Sequence, residues 1–202
     1  MEDKINICSD FSDFIRVFLE ENSKLNLISR NDEKFLYEKH IYDSLGIKLF
    51  LNKRNVNGNS LLDIGCGGGF PCVPIAIEYP NLRVTGIDSI RKKILAVENI
   101  KNKLGLTNLD LICDRVENLQ NKKFDLIVSR AVGDLSKILK YAIPLLKKDG
   151  YFIAYKSKKS EEEIQNAKST LKALGANIAD TLDYVLPTKE QHQRVLICVK
   201  RN

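Results

Sequence analysis

The chain has 202 residues, 44% hydrophobic and 29% charged, which supplies one substantial core and lacks the polar bias of disorder. Residues 1–58 carry nine basic against ten acidic side chains, so residues 59–202 hold 23 against 16, a net +7 (23 − 16). That balance suits a polyanionic partner such as nucleic acid as well as it suits lysines kept for solubility. No apolar run approaches the roughly 20 residues of a membrane helix. The opening MEDKINICSDF is acidic and polar where a signal peptide is basic and then apolar, so a cytoplasmic location is expected. The five cysteines contain no CxxC pair, which argues against a disulfide framework and against a zinc site; no metal is expected.

In chain order, Phe11, Phe14, Ile15, Phe18 and Leu19 recur at helical spacing, and Phe35, Leu36, Ile41, Leu45 and Leu49 repeat the pattern. Residues 1–57 are therefore expected to form a helical extension. The polar NKRNVNGNS breaks the periodicity, and residues 58–202 are expected to form the main domain. There, short apolar runs (SLLDIG, RVTGID, LDLIC, FDLIVSRA, YFIAYK) alternate with the helix-like PCVPIAIEY, IRKKILAVENIKNKLG, a short RVENLQ and LSKILKYAIPLLKKDG. This is the signature of a doubly wound, mostly parallel α/β sheet. A further helix from about Glu161 to Leu174 precedes ANIADTLDYVLP and QRVLICVK, expected as a C-terminal antiparallel strand pair.

The informative stretch is LLDIGCGGGFPC. A chain leaving a buried strand at Ile64 and turning into a helix near Pro71 needs backbone angles that side-chain-bearing residues resist, so Gly65, Gly67 and Gly69 belong there. The helix start then offers free N–H groups to a ligand above the strand ends. Phe70 stands where the dinucleotide fingerprint wants its third glycine, and no P-loop lysine follows. What remains is Asp63-x-Gly-x-Gly-x-Gly with Asp88 at the end of the next strand, an acid able to accept hydrogen bonds from both ribose hydroxyls of an adenosine. This pattern resembles the nucleotide-side loop of class I S-adenosylmethionine-dependent methyltransferases. Asp63 has two readings, orienting the methionine amino group or hydrogen-bonding the loop.

LLDIGCGGGFPCVPIAI, GIDSIRKKILAVENIKNKLGL, CDRVENL, FDLIVSRAV and YFIAYKS, with NLISRNDEKFLYEKHIYDSL upstream, extend the likeness from Asn26 to Lys200. Together they resemble the small-subunit (16S) ribosomal RNA guanine-N7 methyltransferases, once called glucose-inhibited division protein B. The resemblance implies S-adenosyl-L-methionine as cofactor, held by Gly65 and Phe70 in the loop, Val116 and Glu117 after the third strand and Arg130 after the fourth. It also places His40 and Asp43 on the substrate side. Arg130 suits the methionine carboxylate, an RNA phosphate or O6 of the base. Lys156 at the end of the fifth strand and Arg194 before the last strand are candidates for RNA contact. The implied partner is small-subunit ribosomal RNA or the ribosomal subunit, met by a monomer.

Guanine N7 carries a free in-plane lone pair, so no acid or base residue is expected and the protein's task is alignment. The competing readings are a methyltransferase acting on a small molecule or another RNA, and a non-catalytic module binding adenosyl nucleotides.

Overall fold

The structure, a computed structural model, describes residues 5–55, 58–120, 122–157 and 160–202. The expected division after residue 57 abuts residues 56 and 57, outside that range, as do Lys158 and Lys159 of the basic run after Lys156.

Helix α1 (Ser12–Leu25) buries Phe14, Val17 and Phe18 on one face and ends at Asn26, whose left-handed backbone (φ 48°) closes the last turn. Each such side chain contributes about 2 kcal/mol on burial. The single turn α2 (Arg30–Glu33) is capped by the Ser29 hydroxyl. A π-helix, Leu36–Tyr42, and α3 (Ile47–Arg54) complete the N-terminal part. The sheet has seven strands among the described residues: β1 (Ser60–Ile64), β2 (Arg83–Asp88), β3 (Leu109–Cys113), β4 (Phe124–Arg130), β5 (Leu146–Ser157), β6 (Ala176–Val185) and β7 (Gln193–Arg201). Their order is β3-β2-β1-β4-β5-β7-β6, parallel from β3 to β5 and antiparallel at β7 and β6.

Between them run α4 (Cys72–Glu78), α5 (Arg91–Leu104), a 3-10 turn (Val116–Asn118), α6 (Leu135–Leu145) and α7 (Ser160–Ala173). One departure from the sequence expectation is instructive. The apolar period suggested a helix-like stretch through Gly150, yet α6 stops at Leu145 and LKKDG joins β5. Pro144 lacks the N–H that the last turn would use, and Leu146 pairs with Phe124 instead.

Successive residues of a strand face opposite sides, so Leu61 and Leu62 feed different cores. Leu61, Val128, Ile153 and Leu196 pack with α1, α4 and α5, while Leu62, Ile127, Phe152 and Ile197 pack with α6 and α7. Phe14, Phe18 and Ile41 of the N-terminal part share the first core. The strand order reverses between β1 and β4, which opens a crevice at their carboxyl ends.

Candidate active site at the strand ends

The loop after β1 enters that crevice. Gly65 holds φ 74°, and a Cβ there would lie 2.6 Å from Val132 Cγ2; Gly69 holds φ 96°, with Val73 Cγ2 at 2.8 Å. Both positions therefore need glycine for conformation and for space. Over Gly67 a Cβ would meet nothing nearer than Gly65 O at 3.8 Å, so the loop faces open volume. Asp88 organises the neighbouring turn: Gly67 N–H donates to its Oδ2 at 3.0 Å and Ile90 N–H to its Oδ1 at 2.9 Å.

Three clefts run together here. One of about 450 Å³ is lined by Gly65, Asp88, Val116, Glu117, Val132 and Tyr141, among others. A second, about 400 Å³, shares Gly65, Asp88 and Val132 with it and adds Gly67, Phe70, Lys93 and Arg130. A third, about 500 Å³, shares His40, Arg130 and Ala131 with the second and adds Asp43, Lys156 and Arg194. The result is a continuous trough from the Val116 turn, past the glycine loop, to the C-terminal strand pair.

Asp63 sits beneath this trough and lines none of the three clefts. Its Oδ2 accepts the Cys72 N–H at 3.0 Å where α4 begins, while Oδ1 is buried without a partner. Burial pushes the carboxyl up to about 7. The geometry matches the loop-bonding reading of that residue. Cys66 and Cys72 are buried, and burial raises the Cys72 thiol well above its ordinary value, which suits packing rather than nucleophilic attack.

Phe70 ties the loop to the N-terminal helices. Its ring lies edge-on to Phe18 at 5.0 Å and to Phe14 at 5.8 Å, His40 tilts against it at 5.1 Å, and the Arg130 guanidinium lies 5.3 Å from its centre. Arg130 also donates to Asp43 Oδ2 at 3.1 Å, to Lys39 O at 3.2 Å and, through its other terminal nitrogen, contacts His40 Nδ1 at 3.1 Å. A guanidinium can only donate, so Nδ1 is the acceptor and the His40 proton resides on Nε2, a buried atom without a partner. Burial, with the Arg130 charge beside it, holds the imidazole down to about 4. His40 is therefore neutral at pH 7.

Asp43, 2% exposed in its side chain, is the hub: the Tyr184 hydroxyl donates to its Oδ1 at 2.6 Å and Arg194 Nε approaches at 3.5 Å. Lys156 bonds Glu163 at 2.6 Å and Gly133 O at 2.8 Å. Sequence reasoning missed Val132, Tyr141 and Tyr184. The left-handed Ala131 (φ 57°), sitting where the second and third clefts meet, also went unread.

The residues present fit S-adenosylmethionine. Apolar Val116, Ile138 and Tyr141 line the first cleft together with the carboxylates of Asp88 and Glu117, a chemistry that suits a purine and a ribose. Lys93 and Arg130 line the second cleft beside the glycine loop, cations of the sign that the methionine carboxylate would require. The Arg130 charge, repulsive toward a sulfonium by itself, is balanced by Asp43. Among the described residues no cluster of three His, Cys, Asp or Glu side chains could hold a metal, and no helix is long and apolar enough to cross a membrane.

Parallel sheet, glycine loop and trough define a class I S-adenosylmethionine-dependent methyltransferase. Among solved structures, a methyltransferase of this kind from Clostridium acetobutylicum superposes with a TM-score of 0.64 at 19% identity, over 85% of this chain and 98% of that one. TYW2 of M. jannaschii in complex with AdoMet gives 0.57 at 19% identity, over 71% and 68%. The family model described as rRNA small subunit methyltransferase G matches residues 7–193. Ribosomal RNA small subunit methyltransferase G of Listeria welshimeri is 35% identical over 94% of this chain and 81% of its own length. Its namesake in Staphylococcus epidermidis is 37% identical over 95% and 81%. The chain belongs to this family.

Proposed function

We propose that the protein transfers the methyl group of S-adenosyl-L-methionine to N7 of a guanine in 16S ribosomal RNA. The observation that carries this reading is the trough itself: a nucleoside-sized cleft leads past the glycine loop into a cationic one whose two histidines are both engaged, His192 by Thr188 and Glu190. His40 is neutral with its lone pair already engaged by Arg130, and the Asp63 carboxyl lies beneath the floor. Such a site suits a nucleophile that needs no deprotonation, as guanine N7 does.

Bound cofactor supplies an electrophilic methyl on a sulfonium. Gly65, Gly67, Phe70, Asp88, Val116 and Glu117 would hold and orient it, and Arg130 would meet its methionine carboxylate. Phe70 and the His40 ring close the wall beside the transfer point and exclude water, while Asp43, Arg130 and Arg194 shape the base-receiving cleft. Arg130 fixes His40 as a proton donor at Nε2. The target base must be unstacked, since the deep A-form groove hides N7. Residues 1–57 act as an extension over the loop and residues 58–202 as the catalytic domain, working as a monomer in the cytoplasm where the subunits are.

Incubating the protein with methyl-labelled cofactor and small-subunit RNA from cells lacking this modification tests the reading. Label at a guanine cleavable as an N7 adduct is the expected result; label confined to small metabolites or protein refutes it.

A further inference from the structure

Four cations line the substrate-side cleft, Lys39, Arg130, Lys156 and Arg194, and their commitments differ. Lys39 pairs with Asp32 at 3.1 Å and Lys156 with Glu163 at 2.6 Å. Arg130 already donates to Asp43, the Lys39 carbonyl and His40 and lies against the Phe70 face. Arg194 holds Asp43 only as a loose ion pair at 3.5 Å through a buried Nε that makes no hydrogen bond, so the exposed part of its guanidinium is what faces the cleft. The two Asp43 oxygens are already taken by Tyr184 and Arg130. One carboxylate thus faces two guanidinium groups, and one positive charge in the cleft has no counterpart.

That charge is held on rigid structure. Arg194 lies on β7, in register with Ser157 of β5 on one side and Tyr184 of β6 on the other. Its side chain is 33% exposed, and it lines neither of the two clefts fitted to the cofactor. The missing partner is therefore an anion on the substrate side. An arginine fork on the O6 and N7 edge of guanine would occupy the lone pair that must attack the methyl group, so that bidentate contact is excluded. We propose that Arg194 is the anchor for a phosphodiester of the RNA strand at the target nucleotide, setting the base's position from its backbone. The inference rests on the RNA-methylating reading above.

The test uses the full chain, a fluorescently labelled single-stranded RNA oligonucleotide containing guanine, and anisotropy titrations across salt concentration. Arg194→Gln is expected to weaken RNA binding roughly tenfold at low salt and to reduce the slope of log Kd against log salt by about 0.7, the signature of one lost phosphate contact. Calorimetric affinity for S-adenosylmethionine stays at the wild-type value. Arg194→Lys keeps the slope with intermediate affinity, and it carries the test alone should the glutamine variant fail to fold. An unchanged slope in Arg194→Gln, unchanged affinity in Arg194→Lys, or a parallel loss of cofactor affinity would each overturn the anchor, the last by marking Arg194 as scaffold for Asp43. A wild-type protein that binds the oligonucleotide with the full slope but methylates no ribosomal RNA would sink the proposed function while leaving the anchor in place.

Discussion

Gly65→Ala is the most revealing single change in the cofactor loop. Holding alanine at φ 74° costs about 1–2 kcal/mol, and a methyl 2.6 Å from Val132 Cγ2 adds overpacking of about 1–3 kcal/mol. The sum, about 2–5 kcal/mol, lowers the melting temperature of a chain this size by roughly 5–15 °C. Val132 lines both cofactor clefts, so its displacement narrows them, and calorimetric affinity for S-adenosylmethionine is expected to fall at least tenfold. Trimming the obstacle separates the two costs. In Gly65→Ala with Val132→Ala the clash disappears and only the backbone cost remains, so the two changes should couple by about 1 kcal/mol or more. Strict additivity of the two single variants would refute the claim that Val132 is what glycine makes room for.

Asp43→Asn removes the one carboxylate facing Arg130 and Arg194, and a loss of about 3–5 kcal/mol is expected in urea denaturation. Asp149→Asn, which breaks an exposed pair with Lys200, should leave the midpoint unmoved. Two buried groups give opposing pH dependences. His40, held down to about 4 in the fold, binds its proton more readily when unfolded, so its contribution is full above about 6.5 and is lost as pH falls toward 4, about 3 kcal/mol in all. Asp63, pushed up to about 7, keeps its proton in the fold, so stability falls by about 4 kcal/mol as pH rises from about 3.8 through 7. Between about pH 5 and 6.5, above the range in which the paired carboxylates titrate, wild-type midpoints should be nearly flat, falling with pH in His40→Gln and rising with pH in Asp63→Asn; parallel profiles would refute both assignments. Asp88→Asn should weaken cofactor binding about tenfold in calorimetry, since an amide cannot accept through both atoms as the carboxylate does for Gly67 and Ile90.

Much of this was legible because it is local. RVTGID and LDLIC coincide with β2 and β3, whose ends are set by alternation and flanking turns. The loop announced itself because Gly65 and Gly69 answer to constraints within a few residues or one neighbouring turn. The end of α6 was harder, since Leu146 is decided by Phe124 across the sheet and not by its own periodicity. The substrate side was hardest. His40 and Asp43 were noticed as a pair, but nothing local says that Asp43 meets Tyr184, or that Lys156 is tied to Glu163 while Arg194 is left over. Those partners are chosen by tertiary packing, and the π-helix that carries His40 has no period that sequence patterns register.

The Asp43 hub joins segments 87 and 141 residues apart through Arg130 and Tyr184. Contacts that span so much chain must first meet the entropy of closing long loops, so they form late, after the strands that carry them have paired. The glycine turn, by contrast, closes over a short stretch. The substrate end of the trough, which depends on those long-range contacts, is therefore the part completed last. Amide protons around Tyr184 and Arg194 should consequently exchange as one cooperative block, released together when that carboxylate lets go.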